Sequence, residues 1–402
     1  MATPVHELDL AFIDLESPGD RDELRAEVEA ARSKHWLAKV PMGYMVVQHE
    51  YVTKVLRERR FHQLSRLLAE IRGLDPKLIR NERTSILSAE GDEHQRLRRL
   101  VSPAFTPKAA ERFRPFMAQT IEELIDAVVD QGRCEAVADI CEPYPIPIIC
   151  ALLGAPREDW RDFSIWATDV LSIFDTDAND KADRIVAARD ALDAYVIDLI
   201  AKRRGDQRDD LLTDLIAAEE DGDRLSETEL ITMVEAVLVA GVDTTRNQLA
   251  CALARFAEYP DQWKALADNP DLVPNAVEEV MRDLGAVRGT GRYASEDIEL
   301  EDVAFPQGTI LFPSFVAANT DPAVFEDPYA FDTTRPLAGP QMTFGSGIHH
   351  CLGASLARAE LQEALPILAR RLPNLRLDGP VEWKPPTTAI WGPSRLPIAW
   401  GQ

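Results

Sequence analysis

The sequence predicts a mainly α fold with smaller β-sheets, as a single large domain with a helix-rich part and β-rich parts. Three observations carry that expectation. Helical periodicity dominates from about His94 to Tyr259. Short apolar runs set off by turn residues gather near both ends of the chain. No repeat, low-complexity segment or linker divides the 402 residues, of which 46% are hydrophobic, enough for one large core. Residues 1–90 read as mixed α/β and 91–285 as the helix-rich core. Residues 286–402 read as β-segments, a cysteine loop and a C-terminal hairpin.

Taken in order, "GYMVVQ" alternates as a short strand, and "EYVTKVLRERR" has the spacing of a short helix. From about Phe61 to Glu90 the chain is long, charged and without clear period, which suggests a functional or mobile connection. "RPFMAQTIEELIDAVVDQG" spaces its apolar residues by three and four and stops at Gly132. The apolar, proline-broken "YPIPIICALLGAP" is too short to span a bilayer and reads as buried core. After the acidic break "FDTDAND" comes a long amphipathic helix, "KADRIVAARDALDAYVIDLIAKRRGD". The longest helix opens on a capping box, Ser226 with Glu229, and closes at Pro260. "NAVEEVMRDL" is helical, short strands follow from Gly289 to Phe315, and "NTDPAVFEDPYAFDTTRP" is coil. A helix after Cys351 runs to about Arg371, and the tail reads as a hairpin turning at Gly392-Pro393.

Composition narrows the functions. A net charge of −24 disfavours nucleic acid and anionic membrane surfaces as partners. The five cysteines are odd in number, widely spaced and lack a C-x-x-C, so a reducing cytoplasm fits better than a disulfide scaffold. No second ligand pair accompanies His349, His350 and Cys351, which weakens zinc. The acidic N-terminus is neither a signal peptide nor a membrane anchor.

Chemistry concentrates in "FGSGIHHCLGASLARAE", residues 344–360, where Cys351 stands at the mouth of a helix. A helix N-terminus favours thiolate, which serves as a nucleophile or a metal ligand. The neighbouring histidines are awkwardly placed as bases for a nucleophile. Gly345 and Gly347 suit a chain turning closely beneath a flat ligand, and Gly353 lets the helix start without a side-chain clash. A buried core cysteine is the plain alternative.

Three further patterns stand out. "AGVDTT", residues 240–245, weakens the middle of the longest helix with Gly241 and two threonines, and sets Asp243 in an apolar stretch. Ala240 and Thr244 share a face there, and the hydroxyl can disturb local helical hydrogen bonding. A kinked helix with a solvated Asp243 is the alternative. Glu279 and Arg282 lie three apart and can pair, as many surface residues do. His94 and Arg98 lie four apart on one face, with Arg96 and Arg99 roughly opposite.

Residues 344–353 resemble the haem-binding signature of the cytochrome P-450 family, matching at Phe344, Gly345, Gly347, His349, Cys351 and Gly353. The resemblance extends from about Trp36 to Trp400 with the motifs in order. It implies that Cys351 is the axial ligand of the iron of a haem b; such a thiolate pushes electron density toward the iron. It implies Asp243 and Thr244 as the proton-delivery pair. Glu279 and Arg282, with Arg335, match a structural triad. His94, Arg98, Arg292 and His349 match propionate-binding positions, four groups for two carboxylates. Ala236, Val239, Ala240, Thr244, Val287 and Ile390, with Leu171 and Phe174, match substrate-pocket positions. Residues 61–90 and 171–180 become candidate mobile lids.

The implied activity is that of a soluble, cytoplasmic monooxygenase of bacterial class I type, a monomer. It hydroxylates a hydrophobic small molecule with O2, taking electrons from a ferredoxin and its NAD(P)H-dependent reductase. Arg96, Arg99 and Arg358 are candidate docking cations for that acidic partner. The sequence departs from the pattern at Glu90-Gly91-Asp92-Glu93, where an aspartate–proline is frequent. It departs again at Ala286, where a proline usually follows the Glu279 helix. A peroxygenase and a non-enzymatic haem sensor are the competing classes. Turnover with ferredoxin, reductase and O2, with peroxide only, or not at all separates the three.

Overall fold

The longest helix, Glu227–Glu258, shows how local signals build the core. Ser226 Oγ accepts from Glu229 N–H (3.2 Å) and Glu229 Oε2 accepts from Ser226 N–H (2.8 Å), completing the capping box. Pro260 then opens the next helix, Pro260–Asp268. Most residues between are buried, so this helix runs through packed interior rather than along a surface. A computed structural model describes residues 2–14, 21–79, 84–156, 160–220, 225–336, 340–386, 388 and 390–401.

The described chain forms two compact units, neither of them one continuous stretch. The first combines residues 1–73, 287–330 and 337–351. Its five-stranded sheet has the order Leu37–Val40, Gly43–Val46, Ile310–Pro313, Arg292–Ala294, Phe61–Gln63. Gly43–Val46 runs parallel to Ile310–Pro313, with Tyr44 opposite Leu311, and the other pairings are antiparallel. Helix His49–Arg57 lays Val52, Val55 and Leu56 on this sheet's core, and Trp36 stacks on Tyr51 at 4.5 Å. Buried Arg32 donates to the carbonyls of Val47, Ala317 and Thr320, satisfying groups that burial would otherwise leave costly.

The second unit combines residues 74–286, 331–336 and 352–402. Around the long helix pack Pro145–Leu153, Trp160–Leu171 and Ala182–Arg203. Helix Ala354–Arg371 packs on Pro107–Asp126. Thr106 Oγ1 caps the latter by accepting from Ala109 N–H (3.2 Å). That helix ends at Asp126, short of the expected Gly132; a 3-10 turn, Val129–Gln131, carries the chain to Gly132 at φ +69°. Glycine ends the 3-10 turn, not the α-helix.

Two other expectations change. Residues 61–90 are more ordered than their lack of period suggested. They contribute the edge strand Phe61–Gln63, helix Leu68–Arg72 and a 3-10 turn, Pro76–Leu78, while residues 80–83 of that candidate lid lie outside the described residues. The C-terminal hairpin exists, pairing Glu382–Trp383 with Pro393–Arg395, but Gly392-Pro393 is not its turn. Pro393 starts the returning strand, and Gly392 lies against Asn247, whose Oδ1 would stand 2.8 Å from a Cβ at that glycine. Among the described residues no helix is long and apolar enough to cross a membrane.

Candidate active site

In the first unit, residues 342–351 form a tight loop. Gly345 N–H donates to Met342 O (2.7 Å), His350 N–H to Gly347 O (3.1 Å) and Cys351 N–H to Phe344 O (2.9 Å). Gly345 and Gly347 sit at φ +68° and +72°, a region that costs other residues strain. At Gly347 a Cβ would also stand 2.2 Å from Leu56 O, so helix His49–Arg57 closes directly on the loop. Arg57 Nε donates to Ser346 Oγ (3.2 Å) from the same helix. Buried Asn319 braces the loop from the other direction. Its Oδ1 accepts from Met342 N–H (2.6 Å) and its Nδ2 donates to Thr343 Oγ1 (3.2 Å).

Cys351 is exposed, whereas Cys141, Cys150 and Cys251 are buried and Cys134 is half-buried. Burial pushes the Cys134 thiol up to about 12 and that of Cys141 well above its ordinary value. Cys351 is thus the one exposed cysteine of the five, and the core-cysteine alternative falls. Phe344 and His349 are half-buried in the same loop. Gly353 caps helix Ala354–Arg371 at φ −81°, and a Cβ there would meet no protein atom within 4 Å.

In the second unit, the long helix opens at one face. Ala240 is exposed, and Gly241 and Thr244 are half-buried, between stretches of buried residues. Thr244 Oγ1 donates to Ala240 O (3.0 Å), yet the helix runs through without a break. A Cβ at Gly241 would lie 2.8 Å from Ile149 Cδ1 on helix Pro145–Leu153, so a larger residue there would have to displace that side chain. Asp243 is buried, not solvated. Its carboxylate pairs with Arg246 and lies 3.9 Å from Lys384 Nζ. Asn247 Nδ2 donates to its carbonyl (2.7 Å), and Arg246 also reaches Glu142 Oε1 at 3.6 Å. The next residue, Thr245, donates to Glu360 Oε2 (3.0 Å). Burial raises the Glu360 carboxyl to about 8, against that hydrogen bond, so it is largely protonated at neutral pH.

The other expected pocket residues scatter in exposure. Ala236 and Val239 are buried on the long helix. Val287 packs on the core of the first unit. Leu171 and Ile390 are half-buried, and Phe174 is exposed. His94 is buried and Arg98 half-buried on helix Gly91–Val101. Arg292 is buried in the sheet, its Nη1 donating to Gln63 Oε1 (2.5 Å), Thr290 Oγ1 (3.1 Å) and Gly291 O (3.0 Å).

Glu279 and Arg282 are not a surface pair. Glu279 accepts from buried Arg282 through Nε (2.7 Å) and Nη2 (2.8 Å), and from half-buried Arg335 Nε (3.3 Å) and Asp332 N–H (2.9 Å). Asn275 Nδ2 anchors Arg335 through its carbonyl (2.6 Å). Glu279→Ala should strand the buried Arg282 charge and cost about 3–5 kcal/mol, read as a lowered denaturant midpoint at unchanged m-value. The departure at Ala286 also has a local cause. Its N–H donates to the buried Gln248 Oε1 (2.9 Å), a bond proline could not make.

Within the first unit, the exposed Cys351 on a loop turned by two positive-φ glycines fits the thiolate ligation of the iron-bearing haem that the resemblance implies. A sequence model described as Cytochrome P450 matches residues 158–387. The chain is 36% identical to luteothin monooxygenase of Streptomyces thioluteus, over 98% of this chain and 97% of that protein. It is 38% identical to nocardicin C N-oxygenase of Nocardia uniformis subsp. tsuyamanensis, over 94% of each. Among solved structures it superposes on CalO2 with a TM-score of 0.88 at 30% identity, covering 96% of this chain and 98% of that one. With such relatives along nearly its whole length, and a family match spanning the long helix and the cysteine loop, the chain belongs to the cytochrome P450 family of haem-thiolate monooxygenases.

Proposed function

We propose that residues 1–402 act as one catalytic domain that binds haem b through Cys351 and hydroxylates a hydrophobic small molecule. The observation that carries the reading is the exposed Cys351 thiol on a loop whose positive-φ glycines admit no side chain at Gly347. When bound, the haem supplies O2 binding and the oxidising power; the chain supplies binding, orientation and protons. Phe344, Gly345, His349 and Gly353 belong to the haem-binding segment. His94, Arg98, Arg292 and His349 are assigned to the propionates, which suits cationic and donor groups. Glu279, Arg282 and Arg335 keep the fold.

Thr244 places a hydroxyl on the open face of the long helix, and Asp243 holds a buried carboxylate beside it, toward Arg246 and Lys384. That arrangement supports a relay in which Asp243 takes up protons and Thr244 directs their delivery. Ala236, Val239 and Ala240 offer small apolar surface for a substrate from this helix. Val287, Ile390, Leu171 and Phe174 complete the set assigned by family position. Luteothin monooxygenase, nocardicin C N-oxygenase and the mycinamicin IV hydroxylase/epoxidase of Micromonospora griseorubida make a small specialised metabolite the best substrate class.

The electron donor is proposed to be a ferredoxin with an NAD(P)H-dependent reductase, and the enzyme a cytoplasmic monomer. Of the three candidate docking cations, Arg96 is paired with Glu229 and Arg358 with Glu278 (Nη2 to Oε2, 3.1 Å). Arg99 is exposed on the same helix as Arg96, which makes it the best placed. Arg99→Glu should slow reduction by ferredoxin about tenfold at low salt and flatten its salt dependence, with dithionite reduction unchanged. The reading as a whole is tested by supplying ferredoxin, reductase and O2, or peroxide only, and following product. Oxidation supported by peroxide alone would assign a peroxygenase instead.

A further inference from the structure

Arg246, Asn247 and Lys384 all reach Asp243, and all three line a cavity of about 270 Å³ in the second unit. Glu142, Ser164 and Thr168 add polar atoms to the wall. Ile165 and Arg184 on its lining are exposed, so the cavity reaches solvent. A solvent-connected space of this size, with charged, amide and hydroxyl side chains on an otherwise apolar wall, has room and partners for several waters. It therefore connects bulk water to the residues that hold the Asp243 carboxylate.

Lys384 comes to this place from the C-terminal hairpin, and its backbone is pinned there. Its N–H donates to Gly392 O (3.0 Å) and its carbonyl accepts from Trp391 Nε1 (3.0 Å). Trp391 stacks on Trp383 at 4.6 Å, nearly parallel, and Gly392 presses on Asn247. The Lys384 side chain is 19% exposed. Its ammonium is held below its ordinary value, first by burial and then by Arg246, while Asp243, Asp175 and Cys251 oppose. Arg184, which faces the same cavity, is paired with Asp169, and Glu142 faces Arg246.

The two cations on Asp243 differ in kind. Arg246, one helical turn along, is joined to Asp243 through the helix itself. Lys384 stands at 3.9 Å, beyond direct hydrogen bonding, at a separation a bridging water can enter. We propose that Lys384 is a positioning residue of the proton relay, holding the Asp243 carboxylate toward the cavity, which is the relay's water inlet. A proton drawn from bulk solvent passes through cavity water to the Asp243 carboxylate, which is regenerated when it releases the proton toward the Thr244 hydroxyl, and Lys384 keeps its own protons throughout. This rests on the assignment of Asp243 and Thr244 as the relay.

The test uses haem-loaded protein. With lysines labelled by reductive ¹³C-methylation, the Lys384 signal, identified by its loss in Lys384→Arg, should titrate below the other lysines. In Asp243→Asn it should titrate lower still. The same titration in both proteins would overturn the proposal. In turnover with ferredoxin, reductase and a band-shifting compound, loss of a direct proton donor costs about 10²–10⁴-fold, and a group acting through another should cost less, about tenfold in Lys384→Met. The solvent isotope effect should rise, and Lys384→Arg should recover most of the rate, at unchanged melting temperature. Should Lys384→Met fail to fold, Lys384→Gln takes its place. If Asp243→Asn is slow while Lys384→Met matches wild type, this inference fails alone. If Asp243→Asn itself runs at the wild-type rate, the relay assignment fails with it.

Discussion

Cys351→His should lose the thiolate-specific absorption of its ferrous carbon monoxide complex and all detectable substrate oxidation, while still able to hold haem. The loop that presents residue 351 is fixed by backbone bonds and by closure of helix His49–Arg57 on Gly347, none of which involves the thiol. The substitution therefore changes the ligand more than the loop. An imidazole offers a neutral nitrogen in place of a charged sulfur and cannot supply the same electron density to iron. The expected outcome is a haem protein without oxygenase chemistry, followed by spectrum and product together. An unchanged spectrum would remove Cys351 from the account.

The second large effect concerns Asp243 and Thr244, which should fail differently. Asp243→Asn removes the carboxylate proposed to take up protons, so O2 consumption and product formation should both fall, by about 10²–10⁴-fold. Thr244→Ala leaves that carboxylate in place and removes the hydroxyl from the open face. O2 consumption should then continue while hydrogen peroxide replaces most of the product. Asp243→Asn also removes the countercharge of buried Arg246, so its melting temperature is measured beside the rates. Full coupling in Thr244→Ala together with wild-type turnover in Asp243→Asn would make the pair structural.

What the sequence made legible was mostly local. The capping box and Pro260 bound the long helix because those signals act within one turn. Gly345, Gly347 and Cys351 announced a special loop because positive φ selects glycine. Partners brought together by folding were not legible. Spacing alone made Glu279 half of a surface pair; the resemblance added Arg335, and the Asp332 N–H that also closes on its carboxylate was not legible. Arg246 could be guessed from its spacing to Asp243, but Lys384 arrives from a distant hairpin. Glu360 gave no sign of being the buried partner of Thr245. Arg96 and Arg358 were candidate docking cations, and folding commits both to glutamates. Where a glycine's role was misassigned, at Gly132 and Gly392, the deciding fact was a backbone angle or a neighbouring atom that the sequence does not carry.

The claim on which everything else depends is that one atom of O2 enters the substrate. Isotopically labelled O2, supplied with ferredoxin and reductase to the haem-loaded enzyme and a compound that shifts its haem band, tests that claim. One labelled oxygen atom in the product, with none acquired from labelled water, is the expected result. Product whose oxygen comes from water, or that forms only when peroxide is added, would contradict it.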